Sequence, residues 1–309
     1  MAAERTAYDR PRTCAVSAAL DRVDLHALHS TLERIAIPLI NSFCSDGSAD
    51  LVGQYAFPLA FEVVNAMLGC PPEISQKAAV ATTAIFDGVD AEEGNRLFGA
   101  AVLELVQFKR AEPGDDVTTR LLNHRAGLDE LEMIHQVIAL YGVGMGPLQS
   151  LIINTLRLIL TDERFGAKVR GGALSTRDAL DEVLFEDPPL PNASVTYPRQ
   201  PILIDGIWLP AHQPVVISLA GCNSDPEMGA GNHAGNRAHL AWGAGPHACP
   251  AKSTAYLIVQ DAIDQLLDAV PEVRLAIPAE ELTWRPGPLH RTLADLPVTF
   301  PASPPLLIP

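Results

Sequence analysis

The residues best suited to chemistry lie between His239 and Ala251, where one cysteine ends a glycine-punctuated loop. Gly243 and Gly245 allow tight or left-handed turns and a close approach of the backbone to a flat ligand. Cys249 is followed at once by Pro250, which suits a first helical turn because its missing N–H leaves no bond unmade. A thiolate at the start of a helix faces the positive end of its dipole, which lowers the thiol pKa and favours binding of iron.

Two further side chains complete a candidate cofactor site. Trp242 is expected to lie flat beside the ligand, and His247 can offer a hydrogen-bond donor to an anionic group. Together with the sulfur of Cys249 they describe a cradle for haem held by a thiolate. Two alternatives stay open: an inert core cysteine beside a tight turn, and a histidine that only caps the loop.

This segment resembles the haem-binding loop of the cytochrome P450 family, whose pattern is Phe-Gly-x-Gly-x-His-x-Cys-x-Gly. The matching residues are Gly243, Gly245, His247 and Cys249, with Trp242 in place of the aromatic residue and Ala251 in place of the last glycine. The resemblance implies a mainly α (α+β) fold, a helical prism with a small β subdomain. It also implies haem b as cofactor, with Cys249 as its metal ligand and the loop residues around it as cofactor-binding groups.

Other stretches extend the resemblance over essentially the whole chain. They are Ala49–Val52 with the following Pro58-Leu59 and Met67–Glu73, the segment Asn223–Pro226, and Leu296–Phe300. The resemblance implies one domain over residues 1–309, without the N-terminal quarter of a typical member, and the proline-rich residues 301–309 are expected to form a loose tail.

Composition limits the classes of partner. The 309 residues are 48% hydrophobic and carry a net charge of −15, which argues against nucleic acid and anionic membranes as partners. No run approaches the ~18 apolar residues of a membrane span, and no apolar stretch follows Met1 that would indicate a signal peptide. Five scattered cysteines without a Cys-x-x-Cys pair indicate neither a disulfide framework nor a zinc site and fit a cytoplasmic protein.

Hydrophobic spacing predicts the elements around the loop. Apolar residues recur at helical spacing over 25–43 and in the segment that follows Cys249. The stretch 133–160 is also helical in pattern but contains three glycines and Pro147, so we expect a helix that is kinked or opened there. Asp205-Gly206 between two short apolar runs predicts a β-hairpin, and Val215–Leu219 is a further strand.

The resemblance also shows departures that concern catalysis. On the long central helix the family has an acid and an alcohol that relay protons to bound dioxygen, and these positions fall on Gly146 and Pro147. Neither side chain carries a proton. Gln149 and Ser150 lie nearby and either help or are ordinary helix residues. The usual proton relay is absent, so hydroxyls supplied by the substrate, or peroxide, are required instead.

Two structural positions differ as well. In the family's Glu-x-x-Arg pair, Glu182 matches but Phe185 stands in place of the arginine, an aromatic replacement that resembles an actinobacterial subgroup. Glu182 then needs another donor, must be protonated, or is a solvated helix residue. The family's early His-x-x-x-Arg pair falls near Asp9 and Thr13, so that the neighbouring Arg10 and Arg12 are the candidate partners of the haem propionates.

Two functions remain. The first is a haem-thiolate oxidoreductase of the monooxygenase type, which inserts one oxygen atom from O2 or peroxide into a small organic substrate with electrons from a ferredoxin and its reductase. The second is a catalytically silent relative that binds and activates a partner biosynthetic enzyme. No Gly-x-Ser-x-Gly elbow, paired-histidine metal motif or dinucleotide-binding fingerprint supports a rival site.

Overall fold

Helices dominate the computed structural model, which describes residues 14–87, 90–170, 174–226, 236–245 and 248–307. After a helical turn region at 14–20, the helices are α1 (Leu25–Asn41), α2 (Phe57–Leu68), α3 (Pro72–Asp87), α4 (Ala91–Ala111), α5 (Val117–Leu122), α6 (Glu130–Thr161), α7 (Glu163–Arg170), α8 (Thr176–Glu186), α9 (Leu219–Asn223) and α10 (Lys252–Ala269). A π-helical segment, Val52–Ala56, leads into α2, and a 3-10 turn spans Ala279–Glu281. The expected mainly α fold is confirmed.

Within the described residues, three small antiparallel sheets accompany the helices. Their strands are β1 (Ser48–Asp50), β2 (Asn192–Thr196), β3 (Ile202–Ile204), β4 (Ile207–Leu209), β5 (Val215–Ser218), β6 (Arg274–Leu275) and β7 (Pro297–Thr299). The sheets have the orders β1-β7-β6, β2-β5 and β3-β4. The β3–β4 hairpin is the one expected at Asp205-Gly206, and both turn residues have positive φ, 48° and 82°, as a tight two-residue hairpin turn requires.

Side chains fix where the principal helices begin and end. The carboxylate of Asp24 accepts the N–H groups of His26 and Ala27 and so starts α1. Asp129 and Glu132 form a capping box at the start of α6. At the end of α2, Gly69 is left-handed (φ 66°), and a Cβ there would lie 2.5 Å from the Asp116 carboxylate, so both backbone angle and space call for glycine.

The core surrounds α6, which packs against α2, α4, α8 and α10. The expected opening of this helix is not found, since α6 is helical from Glu130 through Pro147 to Thr161, whereas the alternative expectation of a kink stays a prediction. Burial of its second half, from Leu148 to Ile159, outweighs the one hydrogen bond that a proline removes. Among the helices that the structure describes, α6 alone is long and apolar enough to cross a membrane, but half of that window is buried within the fold.

Unlike the buried core, the two-stranded sheets expose their apolar side chains to solvent. Large hydrophobic side chains reach solvent on β2 to β5 and just after β2: Val195, Tyr197, Ile202, Leu203, Ile204, Ile207, Trp208, Val216 and Ile217. By contrast, the central residue of β7, Val298, is buried. The small β subdomain is therefore present, but its core contribution is concentrated in the β1-β7-β6 sheet.

The C-terminal residues 301–307 are attached to α1 rather than loose. Asn41 donates its side-chain N–H to the Leu306 carbonyl (2.9 Å) and accepts the Leu306 N–H (2.7 Å). The Ser303 N–H binds the carbonyl of Cys44 at 2.9 Å. The expectation of a free tail therefore does not hold up to residue 307, because side-chain and backbone partners compensate for the hydrogen bonds that its prolines cannot make.

Candidate cofactor site

An apolar cavity of about 670 Å³ lies between α6 and the segment that leads into α10. Its wall on α6 includes Gly144, Pro147 and Leu148, and its other walls include Trp242 and Cys249. Within the described part of the chain the lining contains no charged side chain. The cavity can therefore take a large, mostly apolar ligand in contact with one sulfur atom.

The loop before Cys249 has the backbone geometry that its glycines predict. Gly243 and Gly245 have φ of 67° and 70°, in the left-handed region. The Cys249 N–H donates to the Trp242 carbonyl at 2.8 Å, and the Ala248 N–H donates to the Gly245 carbonyl at 3.1 Å. A Cβ on Gly245 would meet nothing within 4 Å, so its glycine is required by φ rather than by contact with the described residues. The loop thus folds back and fixes the backbone on either side of the sulfur.

Cys249 lines the cavity and is partly buried. Burial raises the pKa of its thiol, and the hydrogen bond from the Ala251 N–H opposes that rise without cancelling it. Desolvation of a thiolate thus outweighs one backbone donor, and the expected lowering of the pKa is not found at Cys249. The expected place of Pro250 also shifts: α10 begins at Lys252 after Ala251, so the proline lies in the preceding turn.

Several sequence-predicted contacts fall outside the described residues. His247, the expected propionate donor, is one of them, as are Asp9, Arg10, Arg12 and Thr13. They remain predictions. Trp242 is described: it lines the cavity, and its ring centroid lies 5.4 Å from that of Tyr256, tilted by 49°.

The α6 wall of the cavity lacks proton-carrying groups at the expected acid and alcohol positions. Gly146 has no side chain and Pro147 has neither a hydroxyl nor an N–H. Ser150 donates its hydroxyl to the Gly146 carbonyl at 2.9 Å, so it serves the helix backbone. The polar side chains among the described lining residues are Gln136, Thr254 and the Trp242 indole.

At the family's Glu-x-x-Arg positions, Glu182 and Phe185 make contacts that differ from the expected Glu–Arg pair. Glu182 has a side chain 14% exposed and pairs with Arg164 at 3.6 Å, so another element supplies its cationic partner. Phe185, in place of the arginine, is buried and packs edge-on against His239, with ring centroids 5.3 Å apart. An aromatic contact therefore connects α8 to the segment before Cys249, at the position where the family has a charged arginine side chain.

Sequence reasoning missed a buried polar cluster centred on Asp181. Tyr256 donates its hydroxyl to the Asp181 carboxylate at 2.5 Å, Arg237 lies 3.0 Å away, and Arg177 lies 3.6 Å away. Burial by itself would raise the pKa of Asp181, but the nearby His239 ring, the hydrogen bond from Tyr256 and the two arginine charges outweigh it and hold that pKa below its usual value. Asp181 is thus a buried carboxylate in its charged form.

A second missed residue, Asn223, connects the same elements. Its side-chain N–H group donates to the Leu184 carbonyl at 2.9 Å, and its oxygen accepts the Leu240 N–H at 2.7 Å. Asn223 is 2% exposed. It therefore ties the end of α8 to the segment that carries Trp242.

The described residues fit a haem. The sulfur of Cys249 is the one thiol among the cavity-lining side chains described, the walls are apolar as the porphyrin requires, and Gly144 adds no side chain at its point on the α6 wall. A Cβ at Gly144 would already lie 3.2 Å from Val64, so that wall tolerates little added bulk.

No family model matches the chain, but individual relatives do. A cytochrome P450 of Bacillus subtilis is 29% identical over 308 residues, which is 95% of this chain and 75% of the relative. The 6-deoxyerythronolide B hydroxylase of Saccharopolyspora erythraea is 28% identical over 291 residues, which is 89% of this chain and 71% of the relative.

The similar solved structures are also cytochrome P450s. P450BioI, in complex with an acyl carrier protein ligated to a fatty acid, aligns with a TM-score of 0.82 at 25% identity over 94% of this chain and 79% of that one. The polyketide synthase cytochrome P450 PksS of Bacillus subtilis aligns with a TM-score of 0.83 over 94% and 78% at 22% identity, which supports the fold. In sequence, in fold and in the cysteine beside the cavity, the chain is therefore similar to the cytochrome P450s, a family of haem-dependent monooxygenases.

Proposed function

We propose that this protein is a monooxygenase in which the sulfur of Cys249 would bind the iron of haem b. The observation that carries the proposal is that Cys249 lines the apolar cavity together with Trp242 and Gly243, beneath the glycine-rich wall of α6. In this proposal Gly245 and His247 complete the cofactor-binding loop, with His247 as a propionate donor. Arg10 and Arg12 are the candidate cationic partners of the propionates.

Bound haem would supply the iron chemistry that transfers one oxygen atom from O2 or peroxide to an organic substrate. The chain itself holds the sulfur in place through the hydrogen bond between the Cys249 N–H and the Trp242 carbonyl. The Ala251 N–H donates to the sulfur, which stabilises its thiolate form once a metal compensates for burial. Apolar walls exclude water and select a small, mostly apolar substrate.

Proton delivery distinguishes this site. Because Gly146 and Pro147 cannot donate protons, the proposal assigns proton delivery to a hydroxyl on the substrate, or uses peroxide, which already carries its protons. Replacing Pro147 with threonine is then expected to raise turnover driven by NADH, ferredoxin and ferredoxin reductase relative to turnover driven by peroxide. An equal effect on both would contradict this assignment.

The proposed setting is the cytoplasm, with a ferredoxin and its reductase as the electron source. The alternative, a silent accessory protein that activates a partner enzyme, is favoured by the absent proton relay. It is disfavoured by the retained cysteine in a cavity of suitable size and by relatives named as hydroxylases.

The test is reconstitution with haem followed by reduction and carbon monoxide. We expect the red-shifted absorption band of thiolate-ligated ferrous haem in the wild type and in Cys222→Ser, whose cysteine is not among the cavity-lining residues described. The band must vanish in Cys249→Ser. Absence of haem uptake by the wild type would instead support the accessory role.

A further inference from the structure

We propose that Asp181 is a positioning residue for the Cys249 loop, acting through Tyr256 and Trp242. The proposal rests on the proposed function, since it assigns a role toward the haem ligand. Asp181 lies on α8, where its side chain is 6% exposed. One carboxylate oxygen accepts the Tyr256 hydroxyl at 2.5 Å, and the other lies 3.0 Å from the Arg237 guanidinium. A single carboxylate thus joins α8, the segment 236–245 and α10.

Tyr256 transmits this contact toward the cysteine. It lies on α10, the helix that follows Cys249, and its ring contacts two other side chains. The Arg177 guanidinium carbon is 3.2 Å from the Tyr256 ring centroid, and the Trp242 ring centroid is 5.4 Å from it. A cation over a tyrosine ring is attracted to it, and this attraction is strengthened when the pair is desolvated.

Trp242 makes the last connection through its backbone. Its carbonyl accepts the Cys249 N–H at 2.8 Å, and its side chain lines the cavity. Asp181 therefore reaches the cysteine through three consecutive contacts, by way of Tyr256 and Trp242, and does not itself touch the ligand. For this reason it is a positioning residue and not a catalytic one.

The direction of each hydrogen bond in the Asp181 cluster follows from the number of available donors. The one hydroxyl proton of Tyr256 points to Asp181, so the Tyr256 oxygen accepts from the Nε2 of His239, which lies 3.1 Å away. Among the described residues the buried Nδ1 of His239 has no hydrogen-bond partner, which is consistent with Nε2 carrying the proton donated to Tyr256. His239 also packs on Phe185, so the aromatic residue that replaces the family's arginine contacts the same cluster.

Charge explains why Asp181 and not an uncharged residue is suited to this place. Arg177 and Arg237 both approach the same carboxylate, and the charge-assisted bonds that a carboxylate makes are about twice as strong as neutral ones. Replacing the carboxylate with an amide removes the acceptor of one guanidinium and leaves Arg237 without its buried partner. The segment 236–245 then loses its charged attachment to α8, while the core of α6 is untouched.

The experiment compares Asp181→Asn with Asp268→Asn, which removes a charge from an exposed position on α10. The first measurement is the rate of iodoacetamide labelling of Cys249 in the protein without haem, followed by peptide mass spectrometry. We expect Asp181→Asn to raise this rate about tenfold, as loss of one charge-assisted hydrogen bond predicts, and Asp268→Asn to leave it unchanged. Labelling of Cys44, which is buried in the core, reports global unfolding in the same sample.

The second measurement is the spectrum of the reduced, carbon monoxide-bound protein. Asp181→Asn should lower the fraction of the thiolate-type band at equal haem content, whereas a merely structural role would change the denaturation midpoint and leave this fraction at the wild-type value. If Asp181→Asn fails to fold, Tyr256→Phe removes only the hydroxyl and keeps the ring stack, and both effects are expected in weaker form.

The two proposals fail separately. A wild type without a thiolate-type band refutes the role of Cys249 as haem ligand, yet Cys249 labelling still shows whether Asp181 anchors the loop. The positioning role of Asp181 would be overturned if Asp181→Asn and Tyr256→Phe both fold and show the same Cys249 labelling rate and the same fraction of thiolate-type band as the wild type.

Discussion

Replacing Asn223 with alanine should destabilise the protein far more than a typical exposed substitution. Asn223 lies at the end of α9, and its side chain donates to the Leu184 carbonyl at 2.9 Å. That carbonyl cannot be satisfied within α8, because the residue four positions later, Pro188, has no N–H. The Phe185 carbonyl is in the same position, since Pro189 follows it at the same spacing.

The magnitude follows from the groups left unpaired. The buried Leu184 carbonyl costs about 1–3 kcal/mol when it loses its donor, and the Leu240 N–H, bound at 2.7 Å, costs about 1 kcal/mol because it is half-buried. The contact to the Phe185 carbonyl at 3.4 Å adds little. The free energy of unfolding should therefore fall by about 2–4 kcal/mol in Asn223→Ala.

Urea denaturation measures this change. With a slope of about 3 kcal/mol per molar urea, the midpoint should fall by about 1 M. The matched control is Asn95→Ala on α4, where an exposed side chain donates to the Ala91 carbonyl at 2.7 Å and alanine is the better helix former. A loss below about 0.5 kcal/mol in Asn223→Ala, or an equal loss in the control, would refute the reasoning.

Three further predictions concern other parts of the fold. Tyr55→Phe removes a fully buried hydroxyl that donates to a backbone carbonyl of α10 at 2.6 Å, and should lower the free energy of unfolding by about 1–1.5 kcal/mol in urea; no change would contradict it. Lys109→Met breaks a buried ion pair with Asp116 (2.9 Å) and should cost about 3–5 kcal/mol in the same assay, because the carboxylate stays buried; a cost below about 1 kcal/mol would argue against burial of the pair. The hydrogen bond to Asp261 raises the pKa of His29, so its stabilisation is present below the unfolded pKa of about 6.5 and is lost as pH rises through the folded pKa. Asp261→Asn should therefore lower stability at about pH 6, by less than 1 kcal/mol since His29 is exposed, and have no effect through this pair at about pH 9; the opposite pH trend would contradict the pairing.

Local signals in the sequence predicted the cysteine loop and several elements. The positive φ of Gly243 and Gly245 and the hairpin at Asp205-Gly206 follow from residues adjacent in the chain. The helical spacing over 25–43 corresponds to α1, which ends two residues earlier, at Asn41. Such features depend on backbone preferences that neighbouring residues decide.

The sequence did not predict, or predicted wrongly, the features that tertiary packing determines. Asp181 and Tyr256 are 75 positions apart, and no pattern within one helix shows that they meet. The available signal was the spacing of Arg177 and Asp181, which places both on one face of α8. The raised pKa of Cys249 and the unbroken α6 have the same cause: burial, which the local sequence does not report, outweighs a helix-terminal N–H in one case and a proline in the other.

The most direct test of the account is the carbon monoxide difference spectrum of the reduced, haem-reconstituted protein. A red-shifted band in the wild type that disappears in Cys249→Ser and persists in Cys222→Ser is the predicted result. A wild type that binds no haem, or whose band is unchanged by Cys249→Ser, would contradict ligation of the haem iron by Cys249.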